Sequence, residues 1–258
     1  MDFVRKLGAS TLKHVSGMGL MTVFLVKTLV YALTPPFKVV SFIKQLRFIG
    51  AQSFFLIVLV GSFTGMVLAL QGYYNLNRLG SVAFLGPLVA LSIIKELGPV
   101  LAALMVTARA GSAITAEIGI MRITNQIDAL EMMGLNPFRY LVVPALFAAV
   151  ISMPLLTSIF DFVGIFGGYL VGVKMLGVES GTYLGEISNH LDVADLLEGI
   201  YKSVSFGVII AWVSCYKGYY TGTSGFGAEG VSKATTQSVV LASAMILVWD
   251  YFMTALLF

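Results

Sequence analysis

Hydrophobic residues along the chain form long unbroken runs that are separated by short polar stretches. Two clear runs cover residues 53–74 and 84–108, and two others cover 196–216 and 238–258. A further run, 140–175, contains two prolines and one aspartate and is too short for two crossings with a turn, so it predicts one long, tilted or kinked helix. About 20 apolar residues suffice for a helix to cross the hydrocarbon core. The pattern therefore predicts five membrane-spanning helices.

The first 50 residues have a different pattern. Apolar turns alternate there with seven Lys and Arg residues, and Pro35-Pro36 interrupts the stretch. This pattern is typical of helices that lie in the membrane interface with their cations toward the head groups. The alternative is that residues 15–34 span the membrane, which would put Lys27 near the centre at a cost of roughly 2.5–3.5 kcal/mol. We therefore divide the chain into interfacial helices over 1–50 and a transmembrane domain over 51–258.

The stretch between the second and third apolar runs, residues 109–139, is too polar to remain in lipid. Three of its apolar residues recur at helical spacing: Ile123, Ile127 and Leu130. They form one stripe of a helix, while Asp128 and Glu131 point elsewhere. Gly134 and the Asn136-Pro137 pair are typical helix stops. We therefore predict a short amphipathic helix outside the bilayer.

Composition agrees with an all-α integral membrane protein. Hydrophobic residues make up 58% of the chain and charged residues 11%, with a mean hydropathy of +0.92. Soluble domains have about 45–50% apolar and about 25% charged residues. A transmembrane barrel would instead show short segments of alternating hydrophobicity.

The distribution of basic residues predicts the orientation in the membrane. The N-terminal 50 residues, residues 109–139 and the loop over 217–237 hold twelve of the sixteen Lys and Arg residues. Cytoplasmic segments carry the excess of positive charge. We therefore expect a cytoplasmic N-terminus and a C-terminus on the opposite side.

Motifs of catalysis are missing from the sequence. It contains no Walker A run, no HExxH helix and no nucleophile elbow in a strand–turn–helix context. Two His and one Cys offer no ligand set with metal spacing. We therefore expect no catalytic residues, no metal, no cofactor and no nucleic-acid partner.

Ionisable residues inside the apolar runs are the sharpest site candidates, because charge within a membrane is costly and usually functional. Apart from Asp161 in the run 140–175, they are Lys95, Glu96, Lys202 and Asp250. Neighbours on a helix point about 100° apart, so we predict that Lys95 pairs with Asp250 while Glu96 faces a substrate path within reach of Lys202. The alternative is an ion cluster that only stabilises the bundle. Arg109 is interpreted as a snorkelling or head-group residue.

Three blocks of sequence carry a family resemblance. The longest is ELGPVLAALMVTARAGSAITAEIGIMRITNQIDALEMMGLNPFRYLVVP, residues 96–144, and the others are GMVLALQGY (65–73) and SKATTQSVV (232–240). Together they resemble the MlaE/YrbE permeases, the membrane subunits of ABC transporters linked to MCE proteins. The likeness covers nearly everything after about residue 50.

The resemblance implies a homodimeric permease in the bacterial inner membrane, with elbow helices at its N-terminus and its C-terminus in the periplasm. It implies two cytoplasmic ATPase subunits, which bind the ATP, and a periplasmic ring of MCE-domain subunits. The complex would move phospholipid between the inner and outer membranes. The chain itself would not be an enzyme.

The resemblance also assigns residues. The ATPase-coupling segment falls on residues 121–139, within the polar stretch 109–139, and its candidates are Arg122, Ile123, Ile127, Asp128, Leu130, Glu131 and Met133. The lipid cavity is implied to lie between two protomers, with Glu96 beside it and Leu68 and Leu76 lining it. We add Tyr73 to this pathway, although an interfacial anchor is the alternative for that residue.

Two other function classes remain open from sequence. An ion-coupled secondary transporter could use the intramembrane charges as a proton relay. A non-transporting scaffold could anchor an MCE ring. A visible inverted repeat would favour the first, and none is apparent between the halves.

Overall fold

Helices account for nearly all of the protein. The computed structural model describes residues 2–34, 38–223 and 227–257, and within these ranges there is no β-strand. The α-helices are α1 (Asp2–Ala32), α2 (Val39–Ile49), α3 (Phe54–Arg78), α4 (Leu85–Ser92), α5 (Gly98–Val106), α6 (Ser112–Ile123), α7 (Gln126–Met132), α8 (Val143–Tyr169), α9 (Ser180–His190), α10 (Val193–Tyr219) and α11 (Gly227–Leu257). The all-α prediction is confirmed, while the Pro35-Pro36 turn lies outside the described residues.

Several α-helices join end to end into five rods that are long and apolar enough to cross a membrane. These rods are Val39–Arg78, Val82–Ile123, Phe138–Met175, Val193–Tyr219 and Gly227–Leu256. The predicted number of spans is confirmed, and so is the single long third span. The protein is therefore a multi-pass membrane protein. The apolar part of α1, Ser16–Ala32, is shorter than these rods.

The second rod extends beyond its predicted end at residue 108. Two π-helical segments, Ile93–Leu97 and Thr107–Gly111, join α4, α5 and α6 into one continuous helix that ends at Ile123. Thr115 explains the continuation, because its hydroxyl is fully buried and lies 2.9 Å from the Ser238 hydroxyl of α11. Protein therefore covers the Thr115 side of these polar turns, while Glu117 and Ile120 are exposed.

The last rod also differs from the sequence prediction. Residues 217–237 were expected to form a polar loop, but α11 begins at Gly227 and takes up most of that segment. Val231, Ala234 and Ser238 are buried on its inner face. The first turns of α11 are therefore polar on one side and packed against α6 on the other.

Glycines bring α3 and α8 into close contact. A Cβ atom at Gly65 would lie 1.7 Å from the carbonyl oxygen of Gly164, and one at Gly61 would lie 3.1 Å from that of Phe160. The small residues of α3 thus meet α8 of the same chain. On its other side α8 contacts α10, which packs in turn on α6 and α11.

An aromatic cluster fixes α1 to the bundle. Phe24 is buried, and its ring centroid lies 5.0 Å from that of Phe138 and 5.6 Å from that of Tyr216. Near it, a groove between α1, α10 and α11 is lined by both tryptophans. The Trp212 indole donates to the Met21 carbonyl at 2.9 Å, and the Trp249 indole donates to the Ser205 hydroxyl at 3.0 Å.

The helix α9 packs on α4 at the end of the molecule where α8 finishes. Its Tyr183 is fully buried, and the space for that ring comes from Gly168 and Gly172 of α8 and its continuation. Burial raises the pKa of the Tyr183 hydroxyl above its usual range. This contact fixes α9 across the end of the bundle.

Candidate functional site

A fully buried lysine, Lys202 of α10, lies at the centre of the intramembrane charges. Its ammonium donates to the Lys95 carbonyl at 2.9 Å, to Glu96 Oε1 at 2.9 Å and to the Thr254 hydroxyl at 2.8 Å. An ammonium has three N–H donors, so all of them are used. Asp250 Oδ1 lies 3.5 Å from the same nitrogen, within ion-pair distance.

Pro99 explains why the Lys95 carbonyl accepts a hydrogen bond from Lys202. In an α-helical ladder the Lys95 carbonyl would accept from the N–H four residues later, and that residue is Pro99, which has no N–H. The break falls beside the π segment Ile93–Leu97. Lys202 thus supplies a donor from another helix.

Glu96 connects the buried ammonium to the outside of the bundle. Its Oε1 accepts from Lys202 and also lies 3.1 Å from the Thr254 hydroxyl of α11. The Glu96 side chain is nevertheless 39% exposed in the single chain, whereas Lys202 is 0% exposed. One carboxylate therefore faces both the internal cluster and the surface beside α11. The proximity of Glu96 to Lys202 matches the expectation from sequence.

The predicted pairing of Lys95 with Asp250 is wrong. Lys95 Nζ lies 2.9 Å from Asp195 Oδ1 and 3.7 Å from Glu198 Oε2, at the start of α10. Because neighbours on a helix diverge by about 100°, Lys95 points to α10 while Glu96 points toward Thr254 on α11. Asp250 belongs to the surroundings of Lys202 instead.

Sequence reasoning missed Asp195, Glu198 and Thr254. The spacing of Asp195, Glu198 and Lys202, at i, i+3 and i+7, places all three on one helix face, and this signal could have revealed them. Two cations, Lys95 and Lys202, thus meet four carboxylates. The cluster has more acidic than basic groups.

The candidates for a lipid pathway other than Glu96 lie on α3. Leu68, Tyr73 and Leu76 are each partly buried against the core, and the Tyr73 ring meets that of Tyr74 at 6.0 Å. The hydrogen bonds and ion pairs described for Glu96 join it to none of them. The structure therefore groups the charges but does not link them directly to the α3 residues.

The coupling candidates lie on α7 and directly before and after it, and α7 is shorter than the predicted helix. Ile123 ends α6, and Asn125, with a left-handed φ of 57°, turns the chain before α7 begins. The prediction that Ile123 lies on the same helix as Ile127 and Leu130 was therefore wrong. Ile127 and Leu130 are the buried residues of α7. Gly134, with φ 74°, ends the helix as predicted.

Ionic and aromatic contacts hold α7 against the bundle. Arg122 pairs with Asp128 at 2.7 Å, and the Tyr219 hydroxyl lies 3.2 Å from Glu131 Oε1. Two methionines project outward instead, with Met132 87% exposed and Met133 66% exposed. The segment is thus a firmly attached helix that carries an apolar tip.

Arg109, interpreted from sequence as a snorkelling or head-group residue, forms hydrogen bonds within the chain. Its guanidinium donates to the Phe48 carbonyl, to the Gln52 side chain and, at 3.1 Å, to the Ser53 hydroxyl. These acceptors lie where α2 ends and α3 begins. Arg109 therefore joins the second rod to the start of the first.

These features define a class: a multi-pass helical membrane protein with a buried charge cluster and a short attached helix at one end. A family described as Permease MlaE matches residues 42–256. The intermembrane phospholipid transport system permease protein MlaE of Haemophilus influenzae is 45% identical over 217 residues, 84% of this chain and 82% of the relative. The chain belongs to the MlaE permease family.

Two further relatives extend the comparison. A probable ABC transporter permease protein of Rickettsia bellii is 42% identical over 258 residues, which is 100% of this chain and 98% of the relative. One from Synechocystis is 35% identical over 216 residues, or 84% of this chain and 81% of the relative. Both names describe a transporter subunit.

Proposed function

We propose that this chain is the membrane subunit of an ABC transporter that moves phospholipid between the inner and outer membranes of a bacterium. The observation that carries the proposal is the family match over residues 42–256. The chain has no catalysis or cofactor of its own in this proposal. A separate ATPase subunit hydrolyses the ATP, and an MCE-domain ring receives or delivers the lipid.

Two copies of the chain enclose the lipid cavity in this proposal. Supporting it, only 11% of the most apolar stretch of α11 is buried within one chain, compared with 61% for the rod that contains α8. Glu96 is half-exposed beside α11, through its contact with Thr254. Glu96 would therefore lie at the edge of the cavity, with Leu68, Tyr73 and Leu76 of α3 along its wall.

The orientation proposed here has α7 in the cytoplasm and α9 in the periplasm. It is supported by the basic residues on the α7 side. The helices α1 and α2 act as interfacial elbow helices, and α7 transmits the closing of the ATPase to the second rod. Its exposed methionines suit contact with a partner surface.

The test is ATP-dependent transfer of a fluorescent phospholipid between vesicles by the reconstituted complex. Glu96→Gln replaces a charge-assisted hydrogen bond by a neutral one, a change worth about 1.4 kcal/mol or roughly a tenfold lower transfer rate. The complex should assemble normally. Glu229→Gln is the control, because Glu229 is exposed and its one ion pair among the described residues is with Lys233.

Other outcomes favour other functions. Transfer that needs a proton gradient and no ATPase would favour a secondary transporter, and no transfer under either condition would favour a scaffold. Loss of the folded complex in Glu96→Gln would favour a purely structural ion cluster.

A further inference from the structure

A narrow apolar slot lies on the outside of the bundle, at the α7 end. It is formed by the last turns of α1, the first turns of α2 and the start of the third rod, and it has a volume of about 220 Å³. Phe42, Val143, Phe147 and Ile151 line its walls. It is separate from the charge cluster, which involves α10, α11 and the second rod.

Two cations stand at the mouth of the slot. Lys38 Nζ lies 3.8 Å from the centroid of the Tyr140 ring, and the Arg139 guanidinium lies 5.5 Å from that of Tyr31. With the described residues Arg139 forms one hydrogen bond, to the Thr34 hydroxyl at 3.0 Å, although a guanidinium has five N–H donors. The Arg139 Nε is buried and has no acceptor.

Neither cation has a counter-ion within the described ranges of the chain. Among the residues that the structure describes, every carboxylate within 4 Å of a lysine or arginine belongs to a pair that excludes Lys38 and Arg139. Two positive charges that line the same slot, with no acid paired to either, favour the binding of an anion there. Basic pockets of this kind between membrane helices bind anionic head groups.

The length of the slot fits one leaflet. Arg139 and Ile151 are twelve residues apart on a continuous helix, so they are separated by about 18 Å along its axis. One leaflet contributes about 15 Å of hydrocarbon. An acyl chain that enters beside the cations can therefore lie along the whole apolar wall.

We propose that this slot binds an anionic phospholipid, with the phosphate beside Lys38 and Arg139 and one acyl chain along Phe42, Val143 and Ile151. The bound lipid would join α2 to the third rod at the membrane surface. This site lies apart from the transport cavity and does not depend on the proposed transport activity.

The experiment measures lipid binding to the full chain, purified in detergent and stripped of lipid. Native mass spectrometry follows titrations with phosphatidylglycerol and with phosphatidylethanolamine. We expect tighter binding of phosphatidylglycerol, and we expect Lys38→Gln and Arg139→Gln each to weaken it roughly fivefold, the effect of about one cation near a membrane surface. Ile151→Trp should weaken the binding of both lipids by filling the slot.

Lys44→Gln is the matched control, since Lys44 lies on α2 outside the slot and is also exposed. It should leave binding unchanged. Thermal unfolding of each variant in the same detergent verifies that it is folded. If Arg139→Gln does not fold, Lys38→Gln alone tests the proposal. Equal affinity for the two lipids, or equal losses in Lys38→Gln and Lys44→Gln, would overturn the proposal.

Discussion

At the scale of single residues, Lys202 shows how a charge can persist inside an apolar bundle. Its three N–H groups have three acceptors, and two further carboxylates lie within 4 Å. A buried ion pair often gives no net gain over apolar packing, but removal of one partner leaves the others uncompensated. The cluster therefore makes the bundle sensitive to changes at this one position.

We expect Lys202→Met to destabilise the protein strongly. Glu96, Thr254 and the Lys95 carbonyl would lose their common donor, and Asp250 would lose its neighbouring cation. This should lower the free energy of unfolding by about 3–5 kcal/mol. Thermal unfolding of the purified protein in detergent measures this loss. Lys233→Met is the control, because Lys233 and Glu229 form a surface pair worth less than about 1 kcal/mol. Similar losses of stability in both variants would contradict the central role of Lys202 in the charge cluster.

At the scale of elements, the contact of α3 with α8 depends on the absence of side chains. Gly65→Ala would bring a methyl group onto the Gly164 carbonyl, so the helices must separate. We expect a loss of about 1–3 kcal/mol in the free energy of unfolding. Gly185→Ala on α9 meets open space and should be neutral or stabilising by about 0.5–1 kcal/mol. Chemical unfolding in detergent compares the two, and equal effects would count against close packing.

A second prediction at this scale concerns the tip of α7. Met133→Glu adds charge to an exposed apolar surface without disturbing the buried Ile127 and Leu130. We expect the ATPase subunit to copurify in reduced amounts, by roughly tenfold, as for the loss of one apolar anchor at an interface. Met175→Glu changes a methionine of similar exposure at the other end of the third rod and should have no effect. Normal copurification of Met133→Glu would exclude α7 from the interface.

Helix positions were predictable wherever hydropathy alone decides them, as in the third rod. The predicted helix ends were wrong where protein covers polar residues. Thr115 of α6 and Ser238 of α11 form a hydrogen bond with each other, and a single-sequence pattern does not reveal this contact. The charged site residues were recognisable because they lie within the apolar runs. Their partners were not, because the rotation of α10 and the π segment before Pro99 decide whether Lys95 meets Asp195 or Asp250.

At the scale of the whole molecule, the third rod separates two ends. Its 38 residues extend for about 57 Å, well beyond the roughly 30 Å of hydrocarbon. The helix α7 precedes its start and α9 follows its end. The two short helices therefore lie on opposite sides of the membrane.

We expect thiol labelling to reveal this arrangement. The single cysteine, Cys215, is buried, and Cys215→Ser gives a background for Gln126→Cys on α7 and Asn189→Cys on α9. An impermeant maleimide added outside the inner membrane should label Asn189→Cys and leave Gln126→Cys unlabelled. The reverse pattern would invert the orientation proposed from the basic residues.

The two tryptophans have a consequence for spectroscopy of the whole protein. The chain has only two indoles, and both line the same groove between α1, α10 and α11. Tryptophan emission from this protein therefore originates at one location, even though the chain crosses the bilayer five times. Whatever fills that groove, an acyl chain or another protomer, governs the colour and quenching of the entire signal.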